Sequence, residues 1–157
     1  MLGQTNHIRG NYPEAIKSYS LAVGKGLIHN DLYLAYCYTN PITQNYTEAI
    51  KLLEDCHRTA NKHDARALND SYRLLGYLKS KVPRVKEDRA PEEYYSEALK
   101  FNRLDFESKI EYANLLVENS KLKALRLLEE AEKIQMTLGN EPRPELLNNI
   151  SVLHLEN

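Results

Sequence analysis

Three stretches of the chain place a small, a large and again a small residue at positions i, i+4 and i+7. This spacing puts the three side chains on one face of an α-helix. Small side chains allow two helices to approach closely, so each stripe predicts the inner face of a packed helix. The stripes are Ala15, Tyr19 and Ala22, then Ala49, Leu53 and Cys56, and then Ala124, Leu128 and Ala131.

The first two stripes belong to a segment that recurs along the chain. Residues 11–17 read NYPEAIK and residues 45–51 read NYTEAIK, so Ala15 and Ala49 lie 34 residues apart. A period of 34 residues resembles that of the tetratricopeptide repeat, a helix–turn–helix unit. One such unit cannot bury its apolar face alone. The resemblance therefore implies an all-α solenoid, a right-handed superhelix of antiparallel helix pairs.

The family pattern also predicts the limits of the repeats. Its Leu-Gly pair is found at Leu2-Gly3 and Leu75-Gly76, and Cys37 stands where the glycine is usual. The predicted array is a partial repeat at 1–29, a repeat at 30–63, a repeat at 64–103 with a longer loop at 79–91, a repeat at 104–142 and the first helix of a further repeat at 143–157. We expect the array to be truncated at both ends. The first helix of the first repeat would begin before residue 1, and the last helix would lack the second helix of its pair.

The predicted loop at 79–91 is rich in charge. Its five basic residues would suit an acidic partner, but Glu87 and Asp88 dilute the positive charge. A loop that is simply solvated is the alternative, and we favour it.

Composition narrows the class of protein. The 157 residues carry a formal net charge of -1, which gives no electrostatic footprint for nucleic acid or for an anionic membrane. No apolar run approaches the roughly 20 residues of a membrane span. The first residues lack the pattern of a signal peptide, and two cysteines are too few for a disulfide framework. We expect an intracellular protein that binds neither nucleic acid nor membranes directly.

The sequence contains no recognisable catalytic constellation. The six glycines are scattered and form no phosphate loop. His57 and His63 lie six residues apart and miss the i, i+4 spacing of two ligands on one helix. Cys37 and Cys56 occupy small-residue positions in the helix contacts, so core packing is favoured over a metal-binding or catalytic role. We predict no catalytic, cofactor-binding or metal-binding residue, and hence no enzyme.

A solenoid offers a concave surface, which the first helices of successive repeats line. In chaperone-binding members of the family, Lys and Asn at these positions hold a carboxylate. Here that clamp is absent, because two of its pairs are Leu34 with Tyr38 and Arg73 with Tyr77. The two tyrosines either stack on a partner or pack sideways within the array. The predicted groove contacts are Gln4, His7, Leu34, Tyr38, Arg73, Tyr77, Ile110 and Asn114.

Two further segments carry a closer resemblance. Residues 109–118 read KIEYANLLVE and residues 144–154 read PELLNNISVLH. Both resemble the tetratricopeptide scaffold subunit of the polymerase-associated factor (Paf) complex. The resemblance implies a non-catalytic nuclear scaffold that acts in RNA polymerase II transcription elongation and linked histone modification. Its partners would be other subunits of the complex and the polymerase machinery.

Two alternatives remain open at this stage. The chain is also compatible with a peptide-docking adaptor of another assembly, such as an import receptor, a ubiquitin-ligase scaffold or an organelle complex. It is further compatible with a module attached to a catalytic domain that lies outside this sequence. An adaptor would bind a short linear peptide, whereas a scaffold would need a large folded or wrapping partner.

Overall fold

The computed structural model describes residues 11–21, 28–59, 64–86 and 88–156, and no strand occurs among them. Helices separated by short connections account for most of these residues. Such connections place consecutive helices side by side. The helices are α1 Tyr12–Ser20, α2 Ile28–Thr39, α3 Tyr46–Thr59, α4 Ala65–Lys81, α5 Pro91–Phe101, α6 Phe106–Leu116, α7 Lys121–Thr137 and α8 Pro144–Glu156.

Local polar groups fix where several helices begin. The side chains of Asn45, Asp64 and Asp105 each accept a hydrogen bond from the backbone N–H three residues later, at 3.1 to 3.2 Å. These bonds satisfy donors that the first turn of a helix leaves free. Pro91 occupies the first turn of α5, because its fixed φ suits that position.

A glycine ends α7. Gly139 adopts a φ of +78°, a conformation that costs glycine little. The backbone N–H of Asn140 donates to the carbonyl of Gln135 at 2.9 Å, which closes the last turn. The pair Gly139-Asn140 therefore forms a left-handed cap of the helix.

Three predicted bounds differ from the structure. Helix α4 continues through Lys81, so the connection to α5 spans residues 82–90 rather than 79–91. Pro83 restricts Val82 to extended backbone, with φ −106° and ψ 155°, and thereby sets the end of α4. The sequence also predicts Asp31 as an N-cap and a last helix that begins at Glu145, but Asp31 lies within the first turn of α2 and α8 begins at Pro144. The repeat boundaries themselves stay predictions.

Packing follows the order of the chain. Each helix contacts the next one, and α2 also contacts α4 across α3. The apolar interior is divided accordingly into clusters that join α1 with α2, α2 with α3 to α5, α3 with α4, and α5 with α6 to α8. A stack in which each unit contacts its neighbours is the arrangement of a solenoid.

The glycine of the Leu75-Gly76 pair has a specific packing role. A Cβ at Gly76 would lie 2.9 Å from Cε2 of Tyr95, so the ring of Tyr95 lies directly against the backbone of α4. Tyr95 is 2 % exposed and stacks on Tyr112 of α6, with ring centroids 6.2 Å apart. The absence of a side chain at Gly76 therefore allows α4 and α5 to approach.

Candidate functional site

The first helices of three predicted repeats, α2, α4 and α6, enclose a pocket of about 270 Å³. First helices line the concave side of a helix-pair solenoid, so the pocket lies where such folds offer a binding surface. Its walls combine two tyrosine rings, one guanidinium group and two carboxylates. The lining residues are Tyr36, Thr39, Arg73, Leu74, Tyr77, Glu107 and Glu111.

Arg73, on α4, links the three helices. Its Nη1 donates a hydrogen bond to Glu107 Oε2 at 3.0 Å, and its Nη2 donates to the hydroxyl of Tyr36 at 3.5 Å. The guanidinium also lies 3.8 Å from Asp70 and 3.7 Å from Asp105. Burial alone would lower the pKa of Arg73, but the bond to Tyr36 and the charges of Asp105 and Glu107 raise it above its ordinary value. One cation therefore offsets three carboxylates.

A buried polar contact holds α6 in place beside Arg73. Asp105, which caps α6, is 7 % exposed, and Asn69 Nδ2 donates to its Oδ2 at 2.9 Å. The same Asn69 amide donates to the carbonyl of Ala98 on α5 at 2.9 Å. Buried polar groups that are fully hydrogen-bonded specify one arrangement of the elements they join. These contacts therefore fix the position of the carboxylates on α6.

Glu111 lies one turn beyond Glu107 on α6, and no cation lies within 4 Å of its carboxylate in the described part of the chain. Its Oε2 is shielded from solvent and accepts no hydrogen bond from any described residue. Burial raises the pKa of Glu111 above its ordinary value of 4.5, and the charges of Glu107 and Asp105 act in the same direction. The Tyr95 hydroxyl and Arg73 oppose that rise without cancelling it. The pocket therefore stabilises this charge poorly.

Two of the predicted groove contacts, Arg73 and Tyr77, line the pocket together. They lie one turn apart on α4, where the family pattern was anchored by Gly76. Gln4 and His7 lie outside the described residues.

The remaining predicted contacts lie elsewhere. Leu34 is 2 % exposed in the cluster between α1 and α2, so it has almost no surface for a partner. Tyr38 is half-buried and packs sideways against two apolar clusters. Ile110 packs against the cluster of α5 to α8, and Asn114 is exposed outside the pocket. The structure thus brings together only the pair on α4.

Most of the pocket was missed from the sequence. On α6 the face that lines the pocket lies three residues before the predicted one, because the apolar side chain of Ile110 turns into the core. The available signal was the i, i+4 spacing of two glutamates, which by itself is also typical of a solvated helix face. The missed residues are Tyr36, Thr39, Leu74, Glu107 and Glu111.

A second pocket, of about 310 Å³, contains a histidine beside a serine. His57 Nε2 lies 2.6 Å from Ser71 Oγ, and burial lowers the pKa of His57 to about 4. Ser71 is 0 % exposed, and its hydroxyl donates to the carbonyl of Leu68 at 3.0 Å. Nucleophilic catalysis requires a hydroxyl that substrate can reach and that its base can deprotonate. This pair lacks such a hydroxyl.

The cysteines lie in the interior. Cys37 is 0 % and Cys56 is 2 % exposed, and burial raises the pKa of the two thiols to about 11 and about 12. Both thiols therefore stay protonated at neutral pH, the state in which they neither attack nor ligate. Within residues 11–21, 28–59, 64–86 and 88–156, no three His, Cys, Asp or Glu side chains form a metal-binding group. No helix in those ranges is long and apolar enough to span a bilayer.

Two basic residues near the α4–α5 connection bind within the chain. Lys79 Nζ lies 3.0 Å from Glu54 Oε1. Arg89 donates to Glu93 at 3.0 Å, and its guanidinium lies 5.1 Å from the ring centre of Tyr94. These contacts agree with the preference for a loop without an acidic partner. The other three basic residues of the predicted loop are exposed: Lys81, Arg84 and Lys86.

Comparisons with known proteins bear on the fold. No protein-family model and no curated protein sequence matches the chain. Two solved structures of MamA match it along nearly its whole length. One has a TM-score of 0.75 at 16 % identity and covers 99 % of this chain and 84 % of that one. The other has a TM-score of 0.73 at 16 % identity and covers 98 % and 77 %.

MamA is a helical solenoid of tetratricopeptide repeats, so the predicted fold class, an all-α solenoid of this type, is confirmed. A sequence identity of 16 % supports a shared fold and gives no information on function. The resemblance to the Paf scaffold subunit, the nuclear location and the contacts with particular partners stay predictions.

Proposed function

We propose that this chain is a non-catalytic protein-interaction scaffold, and that the groove between α2, α4 and α6 binds a segment of its partner. The observation that carries the proposal is the pocket of about 270 Å³ on this face. Its volume lies near the lower end of the roughly 300 to 1,000 Å³ of most small-molecule sites. A volume of this size suits one side chain of a longer segment.

The chemistry of the described residues supports the same proposal. His57 and Ser71 do not form an accessible nucleophile–base pair, and both cysteines are buried thiols. The two tyrosines of the pocket, Tyr36 and Tyr77, are partly exposed and provide the aromatic contact that is common at protein interfaces. A scaffold of this kind acts by holding partners and needs no reactive group.

The narrower form of the proposal is a nuclear role. The segments at 109–118 and 144–154 resemble the scaffold subunit of the Paf complex, and this resemblance is its sole support. In this form the chain holds other subunits during RNA polymerase II elongation and linked histone modification. The alternative is a peptide-docking adaptor of another assembly, which a pocket of side-chain size favours.

Affinity purification of the protein at its natural length, followed by quantitative mass spectrometry, tests both forms. The purification is repeated with Tyr77→Ala, which alters the pocket, and with Ile42→Ala, whose side chain is 80 % exposed away from it. The nuclear scaffold is supported if polymerase II and elongation factors are recovered with the wild type and with Ile42→Ala but not with Tyr77→Ala. Recovery of chaperones, ligase subunits or an organelle assembly would discard the transcription role. Equal recovery with all three proteins would contradict binding through the groove.

A further inference from the structure

The pocket contains a carboxylate that the chain itself leaves without a counter-charge. Glu107 has two cationic neighbours, because Arg73 donates to its Oε2 at 3.0 Å and Arg143 to its Oε1 at 3.2 Å. Glu111 has none within 4 Å among the described residues, and its shielded Oε2 accepts no hydrogen bond there. The Tyr95 hydroxyl hydrogen-bonds to the Glu111 carboxylate but brings no charge. A largely buried carboxylate without a counter-charge costs free energy that a bound cation would recover.

Arg73 does not supply the missing charge. It is the only cation among the described residues that line the pocket, and it is already shared by Asp70, Asp105 and Glu107. Tyr36 accepts a further bond from it. The raised pKa of Glu111 agrees with this geometry, since burial outweighs the help from Arg73.

The walls of the pocket also suit a cation. Tyr36 and Tyr77 line it from α2 and α4, and tyrosine faces attract ammonium and guanidinium groups within about 6 Å. The chain itself already makes such contacts: Lys81 Nζ lies 5.4 Å from the ring centre of Tyr77, and the guanidinium of Arg89 lies 5.1 Å from that of Tyr94. A carboxylate of a partner, by contrast, would meet Glu107 and Glu111 and be repelled.

We infer that the segment bound in the groove carries a lysine or arginine side chain, which enters this pocket and pairs with the carboxylate of Glu111. The inference rests on the proposed function and names the chemistry of the partner at the same site. It is the opposite of the carboxylate recognition that a Lys and Asn clamp would provide. The bound cation would satisfy Glu111 with a charge-assisted hydrogen bond while the apolar stem of the side chain contacts the tyrosines.

A displayed library of random peptides tests the inference. The library is selected against the wild-type chain, against Glu111→Gln and against Glu118→Gln, an exposed glutamate outside the pocket that serves as the matched control. We expect lysine or arginine to be enriched at one peptide position with the wild type and with Glu118→Gln. That enrichment should disappear with Glu111→Gln, and the selected peptides should bind Glu111→Gln about tenfold to a hundredfold more weakly.

The outcomes separate the inference from the function on which it rests. Selected peptides with acidic or apolar consensus positions, or with basic positions that survive Glu111→Gln, would overturn the inference and leave groove binding intact. Peptides whose binding is unchanged by Tyr77→Ala, or failure to select any peptide, would overturn groove binding and the inference with it. Thermal melting of each variant beforehand verifies that Glu111→Gln remains folded, because the amide keeps the shape of the side chain.

Discussion

The interior of the helix stack and the groove differ in what they bury. In α3 and α7, residues such as Ala49, Leu53 and Leu128 are 0 % exposed and contact other apolar side chains. The groove instead partly buries charged groups. Arg73 forms ion pairs with several carboxylates there, whereas Glu111 lies more than 4 Å from its guanidinium. Helices α2, α4 and α6 line the groove and also contribute side chains to the apolar clusters, so the two environments lie on different faces of the same helices.

This difference indicates which residues serve the fold and which serve binding. Apolar packing contributes directly to the free energy of unfolding. Partly buried charges contribute little, and replacing them by apolar groups of similar shape is often neutral or stabilising. Residues that leave stability below its optimum are typical of functional surfaces. Substitutions in the interior should therefore lower the free energy of unfolding, whereas in the groove the sign should depend on whether the removed charge has a counter-charge.

The largest loss is expected in the interior of α7. Leu128→Ala removes a 0 % exposed side chain from the cluster of α5 to α8 and should lower the free energy of unfolding by about 2–5 kcal/mol. Leu122→Ala, at a 59 % exposed position on the same helix, should change it by less than about 0.5 kcal/mol. Denaturant unfolding measures both values. Equal losses would mean that Leu128 is not part of the core.

Overpacking tests the close contact at the small-residue stripe. Ala49→Trp forces an indole into a site that is 0 % exposed and should cost roughly 1–3 kcal/mol. Ala65→Trp, at an exposed position of α4, is the control and should melt almost as the wild type does. An unchanged melting temperature for Ala49→Trp would show that the stripe has been assigned to the wrong face.

In the groove, removal of Arg73 should lower the free energy of unfolding, because its acidic partners then lose its positive charge. Arg73→Met leaves Asp105 and Glu107 without their shared cation, and we expect a loss of about 1–2 kcal/mol at neutral pH, since the site is only partly buried. Lys17→Met breaks the exposed pair with Glu14 and should cost less than about 0.5 kcal/mol. Thermal melting separates the two. A similar small effect for both would show that Arg73 is a surface charge.

Glu111→Gln should have the smallest effect and the opposite sign. The folded-state pKa of Glu111 is raised above 4.5, so its protonated form is favoured in the fold, and the wild type loses stability as pH rises through that pKa. The variant lacks this loss. Its melting temperature should exceed that of the wild type at pH 7 by a few degrees at most, roughly what 1 kcal/mol produces, and the difference should vanish below pH 4.

A pH series with Glu118→Gln as control completes this test, because other titrating groups cancel in the comparison with the wild type. A variant less stable than the wild type at pH 7 would mean that Glu111 already has a counter-charge within the chain.

Most of the fold could be predicted from residues that lie close together in the sequence. Some of these signals are short sequence features: the recurring NYPEAIK and NYTEAIK segments, and the glycines at 76 and 139. Each reflects the local backbone or the packing of a helix on its neighbour, and the helix pairs follow from them. The groove depends on residues far apart in the chain. Arg73 meets Glu107 at a separation of 34 residues, and nothing in a helical run of charges distinguishes such a contact from a solvated face.

The rotational register assigned to α2 and α6 explains why two predicted groove contacts pack against apolar clusters instead. Leu34 and Ile110 were assigned to the groove by counting from the family pattern, but α2 and α6 lack the Leu-Gly pair that anchors α4. A small rotation of a helix moves a residue from surface to core; accordingly Leu34 is buried, and Ile110 is partly buried against an apolar cluster. The proposed role of Glu111 depends on its burial and on its lack of a counter-charge within 4 Å among the described residues, which a sequence does not show.

We propose that partners bind in the groove between α2, α4 and α6. Chemical-shift mapping of the ¹⁵N-labelled chain, titrated with the tightest peptide from the displayed library, locates the bound peptide residue by residue. We predict that the largest shifts fall at Tyr36, Arg73, Tyr77 and Glu111 and that they are lost with Glu111→Gln. Shifts confined to the pocket around His57 and Arg89, with the groove amides unchanged, would contradict the claim.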